Sequence, residues 1–313
     1  MGKIAFIFPG QGSQFVGMGQ SLIESKPDIE KVFATADEQL GYALSDIMLN
    51  GPEDQLKRTE NTQPALLTMS VAVLEALKEY NITPDYVAGH SLGEYSALVC
   101  AQSLTFEDAV RAVRQRGLFM EEAVPAGEGA MAAILGMERT VLEEVTEEVS
   151  KNGDSVQLAN LNCPGQIVIS GTAEGVRKAS ELAKEKGAKR TIPLQVSGPF
   201  HSSLMKPAAE KLATVLDGIS ITEAKVPVIA NVTADVVTEA PDIKNKLIEQ
   251  VYSPVLWEDT VRRLIDLGVD TFVEIGAGNV LSGLVRKVQR RVNVFAISDI
   301  ESIHAMVAKM KGE

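Results

Sequence analysis

Cysteine and histidine are scarce in this chain, with two of the first and three of the second in 313 residues. Cys100 and Cys163 form no C-x-x-C pair, which argues against a disulfide scaffold and a cysteine zinc site. Three histidines are too few for a histidine-rich metal centre. Basic charge is also in short supply. Thirty Lys+Arg against 42 Asp+Glu leave a net charge of −12 and a pI near 4.9. That balance argues against general nucleic-acid binding and against a membrane-surface protein. No apolar run approaches the roughly 20 residues a spanning helix needs. The start, Met1-Gly2-Lys3-Ile4-Ala5-Phe6-Ile7-Phe8, is too short an apolar run for a signal peptide, and Phe6 stands where myristoylation needs Ser or Thr. A cytoplasmic protein is expected. What remains is an ordinary composition, 45% hydrophobic and 23% charged, able to bury one large core or two unequal ones.

Short β-branched or aromatic runs alternate with longer amphipathic stretches, which reads as α/β. Ile4–Phe8 is expected as a buried strand before the turn Pro9-Gly10-Gln11-Gly12-Ser13. A helix is expected to begin near Thr62-Gln63-Pro64, with Pro64 in its first turn. Further strands are expected at Tyr86–Gly89, Val226–Ala230, Thr271–Ile275 and Asn293–Ile297. The segment from about Gly129 to Leu194 has its own order. Strand Ala130–Leu135 leads to helix Arg139–Lys151. Strands Val156–Leu161 and Gln166–Ser170 follow, joined by the turn Asn162-Cys163-Pro164-Gly165. Helix Ala173–Lys186, closed by Gly187, and strand Arg190–Leu194 complete it. That β-α-β-β-α-β order is ferredoxin-like. The reading is a large α/β hydrolase-like catalytic body of residues 1–127 and 198–313, with a central mostly parallel sheet. Residues 128–197 are an inserted ferredoxin-like subdomain, and a ligand cleft is expected at the seam.

Gly89-His90-Ser91-Leu92-Gly93 fits G-x-S-x-G between an expected strand and a helical run. The glycines allow a sharp turn that projects Ser91 Oγ at the end of the sheet. The three fixed positions would match by chance in roughly one such chain in ten, so the strand–turn–helix context carries the argument. A serine hydroxyl needs a base. His304 falls in a C-terminal helix and is expected to face solvent. His90 adjoins Ser91 but points elsewhere, which suits a structural role. His201, after Gly198-Pro199-Phe200 at the return from the inserted segment, is the expected base. The oxyanion hole is expected from the backbone N–H of Leu92 and from the Gly10–Gln14 turn. The latter lacks the third glycine of a dinucleotide fingerprint and the Gly-Lys-Ser/Thr of a P-loop.

Arg116 is the anomaly. On a wheel of the helix Thr105–Val124 at about 100° per residue, it falls in the arc of Ala109, Ala112, Val113, Phe119 and Met120. It is the only charge there. A buried guanidinium without an anion is costly. Two readings stay open: a salt bridge to an internal Asp or Glu, or a clamp awaiting a substrate carboxylate. Gly117 would allow close helix packing beside it.

FPGQGSQ (8–14), NTQPA (61–65), GHSLGE (89–94), RQRG (114–117), NCPGQIVISG (162–171), GPFH (198–201) and the region around Gln250 resemble the malonyl-CoA:acyl carrier protein transacylases over essentially the whole chain. The resemblance implies Ser91 as acylated nucleophile, His201 as base and Arg116 as carboxylate clamp. It implies the backbone N–H groups of Gln11 and Leu92 as oxyanion hole, and the backbone carbonyl of Gln250 orienting His201. Asn162, Gln63 and Phe200 are the further substrate-binding positions. A phenylalanine before the histidine resembles the malonyl-selective pattern, although Gly198-Pro199 departs from the fuller one. Substrates would be malonyl-CoA and a phosphopantetheinylated acyl carrier protein, with no bound cofactor or metal, and the enzyme a monomer of fatty acid synthesis. A stand-alone acyltransferase of a polyketide pathway, a serine thioesterase and a non-catalytic acyl-CoA-binding module are the competing readings. Carrier proteins of this kind are acidic, so a local basic patch must receive them. Arg286, Lys287, Arg290 and Arg291 are expected on one helical stripe, and Lys189 and Arg190 offer a second patch. Glu143, Glu144, Glu147 and Glu148 mark a helix unsuited to docking.

Overall fold

Ten strands form among residues 2–311, which a computed structural model describes. They are β1 (Lys3–Phe8), β2 (Tyr86–Gly89), β3 (Gly129–Leu135), β4 (Val156–Cys163), β5 (Gln166–Thr172), β6 (Arg190–Pro193), β7 (Val228–Ile229), β8 (Val236–Val237), β9 (Val269–Ile275) and β10 (Asn293–Ile297). The larger sheet runs β10-β9-β1-β2-β7-β8. Its pairs are parallel except β7–β8. Its central strands read as continuous apolar runs because helices cover both faces; Ala5, Phe6, Ile7 and Phe8 of β1 are all buried. The smaller sheet runs β4-β5-β3-β6, with every pair antiparallel. Helices Arg139–Lys151 and Ala173–Glu185 bury Leu142, Val145, Val176 and Ala179 with Ile134, Leu158 and Ile169 of this sheet. The ferredoxin-like order is therefore present, beside a mostly parallel central sheet.

Several details depart from expectation. The helix expected from Thr62 begins at Thr59 and runs to Leu77, so Pro64 lies in its interior. The polar stretch Thr59–Gln63 has low helix propensity, but it is held by burial and by bonds such as Thr62 Oγ1 to the Leu56 carbonyl, 2.5 Å. Strand Val226–Ala230 shrinks to two residues at β7. The hairpin turn is Pro164-Gly165 alone, with Asn162 and Cys163 still in β4. The helix carrying Arg116 is Phe106–Glu122, with Thr105 as its N-cap accepting from the Asp108 N–H.

The smaller sheet is tied to the rest of the chain along β4, through Val255 just before helix Trp257–Asp266. The Leu161 N–H donates to the Val255 carbonyl at 2.9 Å, and the Val255 N–H to that of Ala159 at 2.8 Å. Helix Phe106–Glu122 packs against helix Thr59–Leu77 at Gly117. A Cβ there would stand 2.7 Å from Glu60 Cα and 2.8 Å from the Thr59 carbonyl oxygen. Both obstacles are backbone, so neither can swing aside. Gly117→Ala is expected to lower stability by about 1–3 kcal/mol through this overpacking. Urea unfolding checks this, and an unchanged midpoint would mean that the helices separate freely.

Candidate active site

The C-terminal ends of parallel strands are the usual ligand side of such a sheet, and here β1 and β2 end side by side, with Phe8 opposite Gly89. After β2 the chain turns within three residues into helix Gly93–Cys100. Ser91 takes φ 52 at the apex, a region sparsely used by residues with a Cβ. The turn is this tight because Gly89 and Gly93 touch: a Cβ on Gly89 would lie 1.9 Å from the Gly93 carbonyl carbon. Asn231 braces it, accepting from the Ser91 N–H at 2.7 Å and donating Nδ2 to the Gly89 carbonyl at 2.6 Å.

His201 arrives from the segment that follows β6, also at positive φ, 58. Its Nε2 lies 2.8 Å from Ser91 Oγ and its Nδ1 2.8 Å from the Gln250 carbonyl oxygen. A carbonyl only accepts, so Nδ1 carries the proton and Nε2 is left to accept from the serine. Gln157 of β4 cradles this turn, accepting from the Ser203 N–H at 2.9 Å and donating to the His201 carbonyl at 3.4 Å. Burial, and then the Arg116 charge, depress the imidazole to about 3 from an ordinary 6.5, against the Gln250 bond that raises it.

Arg116 is 1% exposed. Its Nη1 donates to Gln63 Oε1 at 2.7 Å, and its Nη2 to Gln250 Oε1 at 2.9 Å and Ser91 Oγ at 3.1 Å. All three acceptors are neutral, its Nε is buried without a partner, and its guanidinium stands 5.8 Å from the Tyr95 ring centroid. Of the two readings of this residue, the internal salt bridge does not form among the described residues.

The remaining expected positions are close by. Leu92 follows Ser91 at the start of a helix, and Gln11 follows β1; neither backbone N–H is taken by an acceptor among the described residues. Asn162 Oδ1 lies 2.9 Å from His90 Nε2, which gives His90 a structural partner. A cleft of about 210 Å³ opens here, lined by Gly10, Gln11, His90, Asn162, Gln166 and Leu284 among others. Phe200 is buried beside His201. His304 is exposed, edge-on to Tyr80.

The basic positions come out differently. Helix Val280–Val288 ends before Arg290 and Arg291, which lie in the turn into β10. The four residues therefore do not share a helical stripe, because the chain must reverse to start β10 at Asn293. Arg286 turns back to the Val294 carbonyl, 3.0 Å, while Lys287 reaches Gln166 Oε1, 3.0 Å. The Lys189 stem packs over Gly136, whose N–H donates to the Gly165 carbonyl at 2.7 Å. Arg190 begins β6, opposite Leu135.

Glu94, present in GHSLGE without a role, and Asn231 and Gln157, outside every motif, are further neighbours of the site. Glu94 was findable: in Gly93–Cys100 it is a single charge in an otherwise uncharged helix, the same signal that singles out Arg116.

The sheet, the elbow and the serine–histidine contact define an α/β protein built for serine-centred acyl chemistry. The acyl transferase domain family matches residues 5–311. A malonyl CoA-acyl carrier protein transacylase of Bacillus subtilis (strain 168) is 63% identical over 313 residues, 100% of this chain and 99% of that one. One of Staphylococcus aureus (strain MW2) is 46% identical over 303 residues, 97% and 98% of the two chains. Among solved structures, the transacylase of Coxiella burnetii superposes with TM-score 0.96 at 42% identity, covering 98% of this chain and 97% of that one. A malonyl-transacylase solved with its type II polyketide acyl carrier protein gives 0.95 at 43%, covering 98% and 99%. The chain belongs to the malonyl-CoA:acyl carrier protein transacylases.

Because the folded imidazole lies below its solution value, the folded state binds fewer protons than the unfolded one between about 3 and 6.5. The stability tied to neutral His201 is therefore present above 6.5 and lost as pH falls towards 3. The same shift would keep His201 able to act as a base in mild acid. The acid limb of kcat/KM for acyl loading is expected at or below about pH 5. A histidine midpoint near 6.5 would mean that the imidazole titrates as if solvated.

Proposed function

We propose that the chain transfers the malonyl group of malonyl-CoA to the phosphopantetheine thiol of an acyl carrier protein, through an ester on Ser91, in fatty acid biosynthesis. The observation that carries this is the buried guanidinium of Arg116, without a carboxylate partner, 3.1 Å from Ser91 Oγ. An acyl group ending in a carboxylate would supply the missing anion. His201 Nε2 takes the Ser91 proton as Oγ attacks the thioester carbonyl. The N–H groups of Gln11 and Leu92 hold the oxyanion. The C–S bond then breaks, and the thiolate leaves with the proton from His201. The carrier's thiol reverses the sequence, giving up its proton to His201 as its sulfur takes the malonyl group. Gln63 holds Arg116, Asn162 lines the approach, and the bulk of Phe200 favours malonyl over an α-methyl homologue. Residues 128–197 are the inserted subdomain, and 1–127 with 198–313 the catalytic body. The described residues hold a whole site within one chain, which suits a monomer. No helix among them is long and apolar enough to cross a membrane, and we place the enzyme in the cytoplasm.

Incubation with malonyl-CoA alone should leave a malonyl-serine at Ser91, seen by intact mass, that persists until carrier is added. Rapid release of free malonate without carrier would favour the thioesterase reading. Arg116→Ala is expected to slow malonyl loading about 10- to 100-fold, the worth of a hydrogen bond to a charged group, while narrowing the preference over acetyl-CoA. Loading with both donors reads this, and unchanged selectivity would remove Arg116 from the clamp.

The basic positions suggest a rim for the carrier. Lys189 packs over Gly136, Gly136 bonds Gly165, and Lys287 bonds the adjoining Gln166. Lys189 and Lys287 thus flank one hairpin turn beside the cleft, with Arg190 next along β6 and Arg286 turned towards β10. Glu144, Glu147 and Glu148 are exposed on helix Arg139–Lys151 and Glu143 is half-buried, a surface that would repel an acidic carrier. The double reversal Arg286→Glu, Lys287→Glu is expected to raise KM for carrier while leaving malonyl-CoA loading within about twofold. Equal loss in both half-reactions would move the dock elsewhere.

A further inference from the structure

We propose that Glu94 is the positioning residue of the site, a buried acceptor that holds Gln250 and Asn231 and thereby aligns nucleophile, base and clamp together. This rests on the transacylase reading and adds to it a residue outside the reacting set. Glu94 lies in the first turn of the elbow helix, three residues from Ser91, and is 2% exposed. One of its oxygens, Oε2, accepts from Gln250 Nε2 at 2.7 Å and from the Asn231 N–H at 3.1 Å.

Each of those donors leads to the chemistry by a separate route. Gln250 Nε2 has only acceptors within reach, Glu94 Oε2 and the Ser91 carbonyl at 3.0 Å among them. The amide therefore cannot flip, and its Oε1 must face Arg116, where it accepts at 2.9 Å. The same residue's main-chain carbonyl holds His201 Nδ1 at 2.8 Å. Asn231, fixed through its N–H, turns Oδ1 to the Ser91 N–H and Nδ2 to the Gly89 carbonyl. The three reacting elements come from three parts of the chain, and Glu94 is where their supports converge.

The acceptor, rather than the charge, is what this role needs. Burial pushes the carboxyl up to about 7, against the Gln250 and Asn231 bonds and the Arg116 charge. Both protonation states are thus within reach at neutral pH, and Oε2 can accept in either. Glutamine offers the same acceptor at the same reach. Aspartate keeps the charge but is one methylene shorter and cannot span to both donors.

The test compares wild type, Glu94→Gln and Glu94→Asp in three readouts. Melting temperature shows folding. Inactivation by a neutral serine-directed sulfonyl fluoride reads Ser91 and His201 without the clamp. The malonyl-to-acetyl loading ratio reads Arg116. Glu94→Asp is expected to lose about tenfold in both inactivation rate and loading ratio, and Glu94→Gln to remain within about threefold in both. A folded Glu94→Asp with normal inactivation and selectivity would overturn the proposal. So would a Glu94→Gln that is as impaired as Glu94→Asp, or that fails to fold. Failure of the wild type to form malonyl-serine would instead sink the transacylase reading, and the sulfonyl fluoride arm would still report on Glu94.

Discussion

Arg116 holds a full positive charge almost entirely out of water, with Gln63, Gln250 and Ser91 as its only hydrogen-bond acceptors among the described residues. A guanidinium so placed draws much of its surroundings into order. The neutral oxygens around it lower the cost of burial without cancelling the charge. Gln250 must keep its oxygen towards Arg116, and that requirement falls on the residue that also orients His201. Burial depresses the His201 imidazole most, and the Arg116 charge adds to it, so the ring stays neutral with Nε2 facing Ser91 Oγ. A carboxylate-bearing acyl group, as proposed, would relieve the imbalance at the point where the ester would form.

Strain supplies the second constraint. Ser91 and His201 both take positive φ, and neither is glycine. Each is held by groups from elsewhere in the chain: Ser91 by Asn231, and the His201 turn by Gln157 of the smaller sheet. Such conformations persist only where surrounding bonds over-determine them. This gives the smaller sheet a physical part in the site besides lining the cleft, since β4 provides both Gln157 and Asn162.

The parts legible in the sequence are those with a local signature. The strand–elbow–helix passage at Gly89–Gly93, the ferredoxin-like order of β3 to β6, and the single charge on an apolar helix face at Arg116 all follow from residues close together in the chain. Pro64 by local preference favours a first helical turn, whereas burial extends the helix back to Thr59. Arg290 and Arg291 continue the helical spacing in sequence, but they lie in the turn where the chain reverses towards β10. Asn231 and Gln157 were invisible for another reason. Each is an ordinary polar residue on an ordinary segment, and its role exists only once distant segments meet.

Gln250 shows where motif reading reaches its limit. Its side chain holds Arg116 and meets Glu94, while its main-chain carbonyl holds His201. Any residue at that position has the carbonyl, so the group that orients the base leaves no trace in residue identity. What the glutamine side chain does is keep helix Ala240–Gln250 docked with that carbonyl aimed at the imidazole. Substitution there would report on the amide and only indirectly on the carbonyl. The histidine's partner in this site is thus a feature of the backbone path, and the side chains around it, Glu94 foremost, are what make that path reproducible.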